Sequence, residues 1–213
     1  MNFAPVVIVL AAGLGSRFGG SGHKLVQPLE GNDDAGTILG VTLRNVLASR
    51  LPVRVVATAA LAPLIYQQVA ACDVVIVPAQ APGRGMGDSI AAGVSASADA
   101  PGWLVLPGDM PEVRPATLQK VAEALRVSAV AYAQHNGRRG HPVGFAAELY
   151  SELVALSGDE GARRLIARYP AQAVDVDDAG VLIDIDTVQD LAALRAVHGG
   201  NGGASAARLP PSH

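Results

Sequence analysis

The sequence predicts an α/β fold: a mostly parallel central sheet covered by helices on both faces, three layers in a single domain. Three observations carry that expectation. Short, unalternated apolar runs rich in Val and Ile recur at 6–10, 53–57, 74–77, 103–106 and 128–133, the pattern of strands buried on both faces. Segments with helical spacing lie between them at 37–49, 63–71, 88–98 and 115–126. The joints are short and polar or glycine-rich, which makes helix-covered parallel strands the economical arrangement.

In chain order, the run at 6–10 opens the sheet and feeds a glycine-rich loop. Helix 37–49 leads to strand 53–57, helix 63–71 to strand 74–77, helix 88–98 to strand 103–106, and helix 115–126 to strand 128–133. Beyond residue 133 the pattern changes to a basic, glycine-bearing loop at 134–140 and an extended piece at 142–145. Helical stretches at 146–156 and 159–169 follow, the second with Ser157 as its expected N-cap. Strand-like sequence at 172–186 and a helix at 187–197 complete the pattern. Residues 1–197 are therefore expected to form the domain. Residues 198–213 lack periodicity and apolar mass and are expected to form a disordered tail.

At 213 residues, 50% of them hydrophobic, the chain can bury one sizeable core. Charged residues make up only 16% and the formal net charge is -3, so there is no basic field for gripping nucleic acid. A single cysteine, Cys72, leaves neither an internal disulfide nor a cysteine metal cluster and suits a reducing compartment. The apolar run at 4–12 has no Lys or Arg ahead of it and is far shorter than the roughly 20 residues that cross a bilayer. The protein is expected to be soluble and cytoplasmic, without membrane partners.

The loop after the first strand reads Leu10-Ala11-Ala12-Gly13-Leu14-Gly15-Ser16-Arg17-Phe18-Gly19-Gly20-Ser21-Gly22-His23-Lys24-Leu25. Its glycines let several backbone N–H groups point at one anion, and a polyphosphate is the natural guest. Phe18 breaks the dinucleotide fingerprint. Ser21, where a P-loop needs Lys, breaks that pattern too. Arg17 and Lys24 supply a forked donor and a compact point charge, as a triphosphate wants. A second glycine-rich stretch, Gly85-Met86-Gly87-Asp88-Ser89, precedes a helix whose end Asp88 or Ser89 can cap.

Asp109, in Leu106-Pro107-Gly108-Asp109-Met110-Pro111, falls just past the carboxyl end of a buried strand, where open parallel sheets bind ligands. One such carboxylate plus nucleotide phosphates makes a magnesium site. Later, Asp184 and Asp186 alternate with Ile183 and Ile185, which would put both carboxylates on one face of a strand. Asp190 reads as a solvated helix residue.

Together these strings resemble the nucleotidyltransferases of molybdenum cofactor biosynthesis, the MobA-like NTP transferases. The matching stretches are the Leu-Ala-Ala-Gly-x-Gly-x-Arg-Phe-Gly opening with Lys24-Leu25 after it, Gly85-Met86-Gly87-x-Ser89, Leu106-x-x-Asp109-Met110-Pro111, Gly140-His141-Pro142 and Asp184-Ile185-Asp186-Thr187. Val188 stands where the family has proline. The resemblance implies a Rossmann-like nucleotidyltransferase fold. It implies that Leu10, Ala11, Ala12, Gly13, Gly15, Arg17 and Lys24 bind the triphosphate, and that Gly85, Met86, Gly87 and Ser89 lie against base and ribose. Lys24, Arg17 and Asp109 would be the catalytic groups, and Asp109 with Asp186, or else Asp184, would hold Mg2+. His141 and Arg139, or its neighbour Arg138, would meet the acceptor.

By that resemblance the reaction is transfer of a nucleoside monophosphate from NTP to the terminal phosphate of molybdopterin, releasing pyrophosphate. CTP is preferred, because the Gly-Met-Gly-x-Ser and Gly-His-Pro stretches are more similar to the cytidylyltransferases that serve molybdenum hydroxylases. GTP, or a sugar-phosphate acceptor on the same fold, are the alternatives within the class. A nucleotide-cofactor oxidoreductase and a non-catalytic molybdenum-cofactor carrier are the alternatives outside it.

Overall fold

In the computed structural model, which describes residues 3–13, 15, 18–19, 22–29, 36–79, 85–158 and 162–201, strands and helices alternate in the predicted order. The elements are β1 (Val6–Ala11), α1 (Ile38–Ala48), β2 (Val53–Ala57), α2 (Ala62–Ile65), β3 (Val74–Ile76), α3 (Met86–Ser95), β4 (Gly102–Pro107) and α4 (Pro115–Ala124). They continue with β5 (Val130–His135), β6 (Arg138–Ala146), α5 (Tyr150–Val154), α6 (Arg163–Arg168), β7 (Ala171–Asp175) and α7 (Val188–Asn201). The strands form one seven-stranded sheet in the order β3-β2-β1-β4-β6-β5-β7. Only β6 runs antiparallel to its neighbours, β4 and β5; the other pairings are parallel. The expected three-layer α/β architecture with a mostly parallel sheet is the observed one.

The unalternated apolar runs follow from burial on both faces. Val7, Val9, Leu104 and Leu106 belong to one core, with Leu39 and Leu43 of α1, Leu118 and Val121 of α4, and Leu191 and Leu194 of α7. Ile8, Trp103, Val105 and Phe145 project to the opposite core, with Ile90 and Val94 of α3, Leu153 of α5 and Leu165 of α6. Helix ends obey local chemistry: Thr37 Oγ1 accepts from Gly40 N at 3.1 Å and starts α1, and Pro115, whose missing N–H costs nothing in a first turn, starts α4. Among the described residues no helix is long and apolar enough to cross a membrane.

Five expectations are corrected. The stretch at 134–140 is mostly strand, since β6 begins at Arg138 and its pairing with β5 shifts register between Tyr132 and Gln134. Pro142 sits at that irregularity, where a residue without an N–H is tolerated inside a sheet. The helix expected at 63–71 stops at Ile65 and gives way to turns that return Val69 to the core. Ser157 does not cap α6, which starts at Arg163 behind Ala162; Asp159, in the expected first turn, lies outside the described residues. Asp184 and Asp186 are not on a strand: the sheet ends at β7, and a 3-10 turn, Ala179–Leu182, follows it. The closing helix also continues to Asn201, past the expected stop at Val197, since extending a formed helix costs far less than starting one. The remainder of the expected tail, 202–213, lies outside the described residues.

Asp178 anchors that return segment. Its buried carboxylate accepts from Arg114 N (2.9 Å), Thr117 Oγ1 (2.5 Å) and Gly180 N (3.1 Å). Asp178→Ala is expected to destabilise the protein by about 3 kcal/mol, because it leaves buried donors without an acceptor. A urea unfolding midpoint unchanged from wild type would exclude this role.

Candidate active site

At the carboxyl end of β1 the chain turns through Gly13 and Gly15. Gly15 has φ +61°, and a Cβ there would stand 3.0 Å from Lys24 Cβ. Both constraints demand glycine and let the loop fold back against Lys24. His23, unassigned in the sequence, is the brace. Its Nδ1 accepts from Leu25 N at 3.2 Å, so Nε2 carries the proton and donates to Gly13 O at 3.0 Å. The following 3-10 turn, Lys24–Val26, buries Lys24 at the end of the sheet.

The neighbouring strand supplies the first carboxylate. Gly108 N donates to Leu10 O at 2.9 Å, and Thr42 Oγ1 donates to Gly108 O at 3.0 Å, so Asp109 leaves β4 beside the β1 loop. The return segment supplies the second. Ile185 N donates to Asp109 O at 3.1 Å, which brings Asp186 alongside. Asp190, expected to be merely solvated, accepts through Oδ2 from Asp186 N (3.2 Å), Thr187 N (2.7 Å) and Thr187 Oγ1 (2.8 Å). These bonds hold its carboxyl below the usual aspartate value, the Thr187 side-chain bond contributing most. Thr187, whose Oγ1 accepts from Asp190 N at 3.1 Å, thus caps α7 with Asp190 reaching back to it, and the Asp190 carboxylate steadies the Asp186 backbone.

These three segments converge on one cluster. Lys24 Nζ donates to Asp109 Oδ2 at 2.6 Å and to Asp186 Oδ1 at 3.1 Å. Desolvation pulls against the charged lysine, but attraction and hydrogen bonds from Asp109 and then Asp186 outweigh it and hold the ammonium above its ordinary value. The other Asp109 oxygen, Oδ1, is buried with no hydrogen-bond partner.

Two cavities meet at this cluster. The first, about 300 Å³, takes in Leu10, Ala12, Gly13, Gly15, Lys24 and Asp109 at one end and Gly85, Met86, Asp88 and Ser89 at the other. The second, about 550 Å³, shares Gly13, Gly15, Lys24, Met86 and Asp109, and extends past Asp184 and Asp186 to Arg138, Arg139, His141 and Arg163. Burial holds the His141 imidazole below its ordinary value, against the weaker upward pull of Asp109 and Asp184, and its Nδ1 is buried and unpartnered. Arg139 lies over the Tyr132 ring at 5.7 Å from its centroid, and Arg163 arrives from α6.

Most of the residues singled out in the sequence thus gather around two adjoining spaces. Two do not line either one: Ala11 is buried in the core, and Gly87 packs on the backbone of Ser157 and Gly158. Arg17 lies outside the described residues. Of the two late carboxylates, Asp186 meets Lys24, while Asp184 stays exposed on the second cavity's wall. Sequence reasoning missed Arg163, whose neighbourhood it explained by helix capping, and His23, whose place directly before Lys24 was the available signal.

A cation between two carboxylates where two cavities adjoin suits a site that brings two substrates together. A family model described as the MobA-like NTP transferase domain matches residues 7–174. The purine catabolism protein PucB of Bacillus subtilis strain 168 is 29% identical over 202 residues, spanning 86% of this chain and 92% of that protein. The structure of Rv0371c from Mycobacterium tuberculosis H37Rv superposes with a TM-score of 0.74 at 27% identity, over 92% of this chain and 99% of that one. The structure of a manganese complex of the same mycobacterial protein superposes with a TM-score of 0.70 at 26% identity, over 91% and 98%. With its match running from the first strand through β7, the chain belongs to the MobA-like NTP transferase domain family and is a nucleotidyltransferase.

Proposed function

We propose that the protein transfers CMP from CTP to the terminal phosphate of a molybdopterin-type acceptor, with Mg2+ as cofactor, and that its product passes to a molybdenum hydroxylase. The observation that carries this reading is the position of Lys24, bonded to both Asp109 and Asp186 where the two cavities join. A nucleotide in the first cavity and a phosphate-bearing acceptor in the second would present their reacting ends to the same cluster. The choice of CTP rests on the resemblance of Gly85-Met86-Gly87-Asp88-Ser89 and Gly140-His141-Pro142 to cytidylyltransferases.

In this reading an acceptor phosphate oxygen forms a bond to the α-phosphorus, and the bond from that phosphorus to the β-phosphate oxygen breaks. Pyrophosphate leaves with the electron pair, and no covalent enzyme intermediate is needed. Loop amides around Gly13 and Gly15, with Arg17, hold the triphosphate. Lys24 donates to the phosphoryl oxygens as their charge builds. Arg138, Arg139 and Arg163 neutralise the acceptor phosphate, and His141, whose burial disfavours the charged form, fixes the acceptor by a hydrogen bond.

The residues present fit a divalent cation. Asp109 Oδ1 is a buried carboxylate oxygen without a partner, and Asp186 lies across Lys24 from it. Among the described residues no three His, Cys, Asp or Glu side chains form a cage. That suits Mg2+, which prefers one or two carboxylates completed by phosphates and water. When bound, the ion supplies Lewis-acid neutralisation of the phosphoryl oxygens.

The test is pyrophosphate release with Mg2+, molybdopterin and each of the four nucleoside triphosphates in turn. Release with CTP is expected. Release with GTP alone would move the assignment to guanylyl transfer, and release with none would overturn the proposed reaction.

A further inference from the structure

We infer that Asp88 is a positioning residue: it ties the wall of the nucleotide cavity to Gly158, five residues ahead of Arg163 on the acceptor cavity. The inference rests on the two-substrate reading above. Asp88 stands in the first turn of α3, and its Oδ2 accepts from Gly85 N at 2.8 Å, as an ordinary helix-capping carboxylate does. The same oxygen also accepts from Gly158 N at 2.9 Å, a bond that capping α3 does not require. Gly87 N, beside it, donates to Gly158 O at 2.9 Å. The two backbones lie flush, since a Cβ on Gly87 would stand 3.0 Å from Gly158 O and from the Ser157 backbone.

Gly158, with φ +66°, leads within a few residues into α6, whose first residue is Arg163. Asp88 lines the first cavity beside Met86 and Ser89, and Arg163 lines the second. One carboxylate thus joins the wall of the nucleotide cavity to the backbone five residues before Arg163. Its charge also explains why it is tied down. A free carboxylate on the wall of a triphosphate pocket would repel the ligand, whereas one that accepts two amide bonds at a helix N-terminus has much of its charge taken up.

The experiment compares Asp88→Ala, Asp88→Asn, Arg163→Ala and the Asp88→Ala/Arg163→Ala double variant, with molybdopterin as acceptor probe and trypsin as a second readout. Asp88→Ala is expected to raise the acceptor KM about tenfold, the scale of one charge-assisted hydrogen bond, and to raise the nucleotide KM by a smaller factor, because the same carboxylate also accepts from Gly85 N on the nucleotide wall. Asp88→Asn, whose amide oxygen can accept both N–H bonds, is expected to restore the acceptor KM. In the Arg163→Ala background, Asp88→Ala is expected to add nothing, because its effect passes through Arg163. At matched unfolding midpoints, trypsin should cut after Arg163 and Arg164 faster in Asp88→Ala than in wild type or Asp88→Asn.

An unchanged acceptor KM, or additive effects in the double variant, would overturn the inference. If the wild type releases no pyrophosphate, the proposed reaction fails while the cleavage rates still decide the tie. Equal rates in wild type, Asp88→Ala and Asp88→Asn would then refute the tie as well.

Discussion

Lys24→Ala is expected to lower turnover about a hundredfold or more, the scale of losing one preorganised electrostatic group. The size follows from where the ammonium sits. It is buried, 2.6 Å from Asp109 and 3.1 Å from Asp186, so alanine removes the positive charge at the junction of both cavities and leaves two carboxylates facing each other. Lys24→Arg is not expected to rescue, because a planar guanidinium cannot replace a compact ammonium between two acceptors this close. Steady-state pyrophosphate release at saturating nucleotide is the measurement, with the circular dichroism spectrum as a check on folding. Turnover near that of wild type would remove Lys24 from the chemistry.

Asp109→Asn is expected to lose turnover on a similar scale, about a hundredfold. Asparagine keeps the volume and one acceptor for Lys24, so packing at the end of β4 is retained while the negative charge is deleted. What disappears is the oxygen pair in which Oδ2 holds Lys24 and Oδ1 is left unpartnered. Binding of Mn2+ in the presence of nucleotide, followed by electron paramagnetic resonance, separates a lost cation site from a lost lysine partner. Nucleotide-dependent binding as tight as in wild type would refute Asp109 as a ligand.

Legibility differed from element to element for physical reasons. β1 and β4 were readable because Val7, Val9, Leu104 and Leu106 face one core while Ile8, Trp103 and Val105 face the other, leaving no polar position to break the run. Of β6 only the part at 142–145 was readable as extended; its beginning was hidden because Arg138, Arg139, Gly140 and His141 carry no strand signature. It becomes a strand by slotting between β4 and β5, where Trp103 pairs with Phe145 and Val130 pairs with the same residue from the other side. The alternation of Asp184 and Asp186 with two isoleucines imitated a strand in a segment that has no strand to pair with. Ser157 looked like a helix cap because its local sequence is that of one, yet its backbone packs on Gly87 and its neighbour Gly158 bonds to Gly87 and Asp88.

The sequence by itself determined the class of fold, through apolar runs that only a doubly covered sheet can bury, and it determined which side chains have the right chemistry. The glycine loop, Lys24 and Asp109 were named by residue type and by their place after a strand. Only the tertiary structure decided which of them meet. Lys24 lies 85 residues from Asp109 and 162 from Asp186, separations that no periodicity encodes. β1 and β4 are adjacent in the sheet, which sets Lys24 near Asp109, and the single bond from Ile185 N to Asp109 O selects Asp186 over Asp184 as the third member of the cluster.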